Sequence, residues 1–356
     1  IKYLKRTAPQ LRDRVLLYDQ KEPVFDAYGI EQEIANATNR RVPLRKGGFL
    51  VIDHTEAMVT IDVNTGRYVG RKKMKFIDFF SGIGGFRLGM EMAGHECAGH
   101  CEIDKFADKS YRAMHDVKEG EWYATDIRAV EPGDLPEADC YCGGFPCQAF
   151  SVAGKRGGFE DTRGTLFFEV MRLAAVRKPK YLFMENVAGL LSHDGGKTFG
   201  AILNTLGQLG YWYEYQVLNS KNFGVPQNRE RVFIIGHLGG TSTREIFPII
   251  KRMEHNKDKK TADYRLDEGL RVRTEGVTPT LCASMNASSI SKTIILLDKE
   301  KGDRILTSKE FFRLQGFPDE LYEKAAKVNQ ENQLYKQAGN SVTVNVIYEI
   351  ARRLQD

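Results

Sequence analysis

The stretch Gly143-Gly144-Phe145-Pro146-Cys147-Gln148-Ala149-Phe150-Ser151 holds a cysteine in a loop whose bends are set by two glycines and a proline. An apolar run, Asp139 to Cys142, stands directly before it. The loop therefore falls at the carboxyl edge of a sheet, where open α/β folds bind their ligands. A thiol of ordinary pKa, ~8.5, is a few per cent thiolate at neutral pH, and thiolates are strong nucleophiles. Cys147 is thus the candidate nucleophile. Cys97, Cys101, Cys140, Cys142 and Cys282 are expected to be buried structural thiols. Cys140, Cys142 and Cys147 have neither the spacing nor the histidine partners of a zinc knuckle, so no metal is expected.

Other residues capable of chemistry also sit at strand ends. Asp78-Phe79-Phe80-Ser81-Gly82-Ile83-Gly84-Gly85 follows an apolar strand and opens a helix; such glycines allow close backbone approach, and the helix start favours an electron-rich ligand. Glu102 ends the next strand, where a carboxylate can accept hydrogen bonds from ribose hydroxyls. Asp126, in Thr125-Asp126-Ile127, suits an adenine amino group. Three successive strand ends of this kind point to a cofactor containing a nucleoside. Glu185, in Met184-Glu185-Asn186-Val187, is placed to serve a heterocycle nitrogen. In Gln227-Asn228-Arg229-Glu230-Arg231, the two arginines on extended backbone point the same way and can line one anionic or carbonyl-rich pocket.

These residues need a scaffold. The chain has 356 residues, 42% hydrophobic and 28% charged, enough for two or three domains with real cores. Lys and Arg number 52 against 47 Asp and Glu, a formal charge of +5, compatible with a polyanionic partner without proving one. No apolar run reaches the ~18–20 residues of a membrane span, and the first residues do not read as a signal peptide. With six cysteines and no secretion signal, a reducing compartment and a cytoplasmic setting are expected. From Met74 onward, apolar runs alternate with helical patterns: 75–80 then 86–93, 95–102 then 106–115, 138–142 then 165–176, 181–185 then 198–209, and a strand at 231–235. That pattern predicts an α/β fold with a mostly parallel, helix-covered sheet. From 239 to 304 it lapses into an irregular lobe, and helices resume at 308–314 and 342–354. The first 73 residues read differently, as a helical opening (10–39) followed by a hairpin (49–53 and 58–63).

Taken in order, these motifs resemble the cytosine-5 DNA methyltransferase family. The matching segments are Asp78–Gly85, Glu102, Thr125–Ile127, Gly144–Ser151, Gly164–Phe168, Glu185–Val187, Gln227–Arg231, Arg313–Pro318 and Gln337–Val342. The resemblance implies a Rossmann-like S-adenosylmethionine-dependent methyltransferase fold. It implies that Cys147 adds to C6 of a cytosine flipped out of duplex DNA, that C5 then takes the methyl group, and that S-adenosylhomocysteine is released. Glu185 would hold or protonate N3, Arg231 would contact O2, and Arg229 would support the pocket or a backbone phosphate. Cofactor contacts would be Phe80, Gly82, Gly84, Glu102, Ile103, Asp126, Ile127, Pro146, Leu166, Asn340 and Ser341. The last two require the C-terminal helices to fold back onto the first strand. DNA contacts would come from Ser151, Lys155, Arg156 and Arg163 in a glycine-rich basic loop, and from Thr280-Leu281 in the recognition lobe.

On this reading, residues 74–238 form the catalytic and cofactor domain, 239–304 the target-recognition lobe, and 305–356 the returning helices. The protein is expected to be a nucleoid-associated monomer of bacterial or phage origin, of restriction-modification or orphan type, with a cognate restriction endonuclease as a conceivable partner. Residues 1–73 are similar to part of the ribonuclease E/G family. In that family the aspartate matching Asp62 shares a magnesium ion with a second aspartate, which the chain lacks before it changes family, and one carboxylate is a poor magnesium site. The segment is therefore read as a truncated, non-catalytic α+β appendage. Two alternatives stand beside the main reading: a transfer-RNA cytosine-5 methyltransferase, and a non-catalytic nucleic-acid-binding or ribonuclease-derived fusion.

Overall fold

In the computed structural model, the alternating pattern from Met74 becomes a sheet covered on both faces. The structure describes residues 41–43, 49–54, 59–64, 73–146, 166–239, 245–251, 253, 255, 260–265, 269–285, 294–297 and 303–354. The chain divides into two units, Ile1–Gly70 and Arg71–Asp356. In the first, β1 (Arg41–Pro43), β2 (Phe49–His54) and β3 (Val59–Asn64) form an antiparallel sheet. The expected hairpin is present, with Phe49 opposite Asn64. It is joined by an unforeseen strand, in which Arg41 pairs with Val51. The helix expected over 10–39 lies outside the described residues.

The second unit is built on seven strands. They are β4 (Lys75–Phe79), β5 (Glu96–Cys101), β6 (Trp122–Ala124), β7 (Cys140–Gly144), β8 (Tyr181–Val187), β9 (Tyr211–Asn219) and β10 (Glu230–Leu238), in the order β6-β5-β4-β7-β8-β10-β9. The first five in that order are parallel. β10 runs antiparallel to both β8 and β9. Side chains alternate between the faces, as strand geometry demands. Phe76, Phe183 and Phe233 pack on one face with Phe86 and Met90 of α1 (Gly85–Met92) and Val346, Ile347 and Ile350 of α8 (Val344–Ala351). Ile77, Leu182, Met184 and Ile234 pack on the other with α3 (Leu166–Arg177) and α4 (Lys197–Gln208). α2 (Lys105–Met114) follows β5, its start capped by Asp104, whose Oδ1 accepts from the backbone N–H of Phe106 at 2.9 Å.

The stretch expected to be irregular has its own sheet. β11 (Lys260–Arg265), β12 (Gly269–Arg273), β13 (Ile294–Leu297) and β14 (Arg304–Ile305) pair in the order β12-β11-β13-β14, all antiparallel. Its opening residues belong elsewhere. The Glu214 carboxylate accepts from the N–H groups of Ile246 and Phe247, and Gln216 both donates to and accepts from Ile249. Ile246, Phe247 and Ile249 are buried with Phe233. Residues 245–250 are thus part of the catalytic core rather than of the lobe. Beyond the lobe, α5 (Ser308–Leu314), α6 (Asp319–Ala326) and α7 (Glu331–Asn340) enclose Phe311, Phe312, Leu334 and Tyr335. α8 then returns against α1 beside β4. Among the described residues no helix is long and apolar enough to cross a membrane.

Candidate active site

Five parallel strands bring their carboxyl ends to one side of the sheet, and a cavity of about 640 Å³ opens there. After β4 the chain turns sharply: Phe80, Gly82 and Gly84 have φ of 55°, 55° and 80°. The turn closes with the Gly84 N–H donating to the Ser81 carbonyl at 2.8 Å. His115, at the end of α2, donates from Nε2 to the Ile83 carbonyl at 2.9 Å. Burial pushes its pKa down to about 4, so the ring is neutral at physiological pH. The imidazole fills the space that a side chain at position 84 would take, so that position, at φ 80°, admits glycine alone.

Glu102 faces that turn. Its Oε2 accepts from the Gly82 N–H at 2.6 Å and its Oε1 from the Asp104 N–H at 2.8 Å. Burial raises its pKa while these two bonds lower it. A carboxylate offers about four lone-pair sites, so each oxygen retains one for a diol. Phe80, Gly82, Glu102, Ile103, Asp126, Ile127, Pro146, Leu166 and Asn340 all line the cavity. Gly84 and Ser341 stand behind the wall: Gly84 against His115, and Ser341 with its carbonyl accepting from Arg229. Arg128, Asp104 and Lys336 also line it, though nothing in the motifs singled them out. Lys336 Nζ bonds Asp104 Oδ2 at 2.7 Å, joining α7 to the start of α2.

The same cavity continues to Glu185 and Arg231. Glu185 Oε1 meets Arg231 Nε at 3.0 Å. The two are diagonal neighbours across the β8–β10 ladder, where Arg231 pairs with Val187 and Phe233 with Glu185. Burial raises the Glu185 carboxyl pKa, opposed by Arg231 and then Arg229. Gly144 ends β7 alongside; a Cβ there would lie 2.9 Å from Glu185 Oε2. Asn186 Nδ2 donates to the Phe145 carbonyl at 2.9 Å, fixing the chain one residue before Pro146. Cys147, Ser151, Lys155, Arg156 and Arg163 lie outside the described residues.

Three sequence expectations need correction. Arg229 is 3% exposed, and its guanidinium donates to the carbonyls of Leu281 (2.8 Å), Gly339 (3.2 Å) and Ser341 (2.7 Å). It frames the pocket, and its burial removes the alternative of a phosphate contact. Burial and then Arg231 push its pKa down to about 9. Leu281, expected at DNA, is 1% exposed in the core with Phe311 and Leu334, and Thr280 spends its hydroxyl on the Asn228 carbonyl at 2.6 Å. This pair docks the lobe onto the core; the parallel bridge of Gln227 with Thr278 belongs to the same seam. Cys282, expected to be buried, is exposed. The four cysteines of β5 and β7 are buried as expected.

Comparison with known proteins agrees with this architecture. The C-5 cytosine-specific DNA methylase family matches residues 74–294 and 255–356, and the ribonuclease E/G family matches residues 1–78. Similar curated proteins include the type II methyltransferase M.NgoBI of Neisseria gonorrhoeae, 37% identical over 79% of this chain and 92% of its own. M.HpaII of Haemophilus parainfluenzae is 37% identical over 80% and 90%, and M.HhaI of Haemophilus parahaemolyticus 36% over 78% and 93%. Among solved structures, the S. pombe Dnmt2 methyltransferase aligns with a TM-score of 0.59 at 20% identity, covering 78% of this chain and 98% of that one. At that identity the likeness speaks to the fold alone.

Proposed function

The chain belongs to the C-5 cytosine-specific DNA methylase family and is a DNA cytosine-5 methyltransferase; from that premise we propose how its own residues carry the reaction. The carrying observation is that one cavity joins the Glu102–Asp126 wall to the Glu185–Arg231 pair, so a nucleoside cofactor and a flipped base can meet. The donors fit S-adenosylmethionine. Glu102 keeps free lone pairs for the ribose hydroxyls, Asp126 faces the adenine amino position, and Phe80 and Ile103 offer apolar surface. When bound, this cofactor supplies an electrophilic methyl group on sulfur.

The chain's own residues make the acceptor. Cytosine C5 is a poor nucleophile until something adds to C6. Cys147 follows Pro146 directly in sequence, and its thiolate forms the S–C6 bond, moving the C5=C6 electron pair onto C5. Glu185, buried beside Arg231, serves as the acid that donates a proton to N3 and offsets the charge that develops there. Arg231 holds Glu185 and donates to O2. Once C5 carries the methyl group, it gives its proton to solvent water, the C5–H electron pair re-forms C5=C6, the S–C6 pair leaves on sulfur as the Cys147 thiolate, and N3 returns its proton to Glu185. Base extrusion costs a few kcal/mol; Ser151, Lys155, Arg156 and Arg163 are proposed to close over the DNA and sustain it.

The relatives are named as type II methyltransferases, and we extend that role to this chain, acting as a monomer in the cytoplasm with or without a cognate endonuclease. Residues 1–73 are proposed to take no part in catalysis. The test is incubation with labelled S-adenosylmethionine and either duplex DNA or transfer RNA. Label entering DNA, lost in Cys147→Ser while cofactor binding survives, supports the scheme; a duplex carrying 5-fluorocytosine should trap a covalent adduct. Label entering only transfer RNA, or full activity of Cys147→Ser, overturns it.

A further inference from the structure

Two carboxylates face the nucleoside part of the cavity, and they differ in what they have left to offer. Glu102 accepts one backbone N–H on each oxygen. Asp126 is clasped by a single neighbour. Its Oδ1 accepts from the Arg128 backbone N–H and from Arg128 Nε, both at 3.0 Å; its Oδ2 accepts from Nε at 3.0 Å and from Nη2 at 2.6 Å. Three N–H groups of one residue, with Nε shared between both oxygens, thus occupy most of the about four lone-pair sites of the carboxylate. Both residues line the cavity. The turn carrying them is pinned, because Arg172 Nη2 donates to the carbonyls of Ile127 and Val130 at 3.3 and 2.8 Å. Only the Arg128 side chain, 63% exposed, is free to give way.

We infer that Arg128 is a specificity-determining residue that competes with the adenine amino group for Asp126 and thereby holds down the selectivity of the site for adenine. A purine with a 6-amino group must compete with the guanidinium for the acceptor sites of Asp126. A purine with a 6-oxo group need not, and its oxygen can accept a remaining guanidinium N–H. Removing Arg128 bares the carboxylate, which helps the first ligand and repels the second. Exposed ion pairs are weak, so the gain for the adenine ligand is about two- to fivefold in affinity, shrinking as salt screens the pair.

This rests on Asp126 as the adenine contact, and the experiment separates the two claims. The probes are S-adenosylhomocysteine and S-inosylhomocysteine, titrated calorimetrically into the full chain without DNA. In Arg128→Ala, S-adenosylhomocysteine should bind about two- to fivefold tighter and S-inosylhomocysteine more weakly, while Asp126→Ala should weaken S-adenosylhomocysteine. Adding Arg128→Ala to Asp126→Ala should then gain nothing. If Asp126→Ala weakens binding but Arg128→Ala weakens it or leaves it unchanged, the competition is refuted and the adenine contact stands. If Asp126→Ala binds like the parent, the contact itself is wrong and the inference falls with it.

Discussion

His115 lies under the cofactor turn, and its protonation can be read as stability. Replacing it with glutamine keeps a side chain able to donate to the Ile83 carbonyl but removes the titrating ring. In the folded protein burial brings the imidazole from 6.5 to about 4; the unfolded chain restores a value of ~6.5. Above that pH the ring is neutral in both states and contributes no pH dependence. Below it, the unfolded chain takes up a proton that the folded chain refuses. Stability then falls by up to ~1.4 kcal/mol per pH unit, until the folded ring charges near its own lowered pKa. The whole loss is about 3 kcal/mol, of which about 2 kcal/mol falls between about pH 7 and about pH 5. Urea unfolding of both proteins at those two pH values gives the difference directly, and other titrating groups cancel in the comparison. His115→Gln should lose about 2 kcal/mol less than the parent on acidification. Parallel stability curves would refute a buried neutral ring at this position.

Gly144→Ala places a Cβ 2.9 Å from Glu185 Oε2. Methyl transfer should fall about 10- to 100-fold, with S-adenosylhomocysteine affinity unchanged in a binding titration. Arg229→Lys exchanges a planar fork for a point charge and leaves some of three buried carbonyls unpaired. A loss of about 2–4 kcal/mol in denaturant unfolding is expected, with weaker cofactor binding even without DNA. Deleting residues 1–73 should leave methylation of DNA intact, measured as label incorporated per mole of protein.

The sequence disclosed the parts of the site that depend on local order. A strand followed at once by a polar or glycine-rich turn puts its last residues at the sheet edge, so Phe80, Glu102, Asp126 and Glu185 were legible before any coordinates. What escaped depends on distant partners. Arg229 looked like one of two matched cations. Its role emerges only when the carbonyls of Gly339 and Ser341, more than 100 residues away, fold against it. Leu281 was legible as apolar but not as core, because the helices that bury it come later in the chain. β9 was missed because its mixed, half-exposed side chains carry the pattern of an edge strand. The lobe's sheet was missed because its strands are short and split by polar stretches. Arg128 followed a recognised motif by one residue, yet only the geometry showed it clasping its neighbour.

The reversed direction of β10 has a consequence for which changes this protein can tolerate. Because β10 runs against β8, its first residues lie beside the last residues of its neighbour, and a carboxylate and a guanidinium from separate strands meet as one ion pair. A single codon gained or lost between Arg231 and Phe233 would rotate the arginine to the opposite side of the sheet, abandoning Glu185 while leaving most hydrophobic contacts repairable. Insertions there should therefore yield folded but silent proteins, whereas insertions in the lobe's loops should be met with altered rather than absent activity.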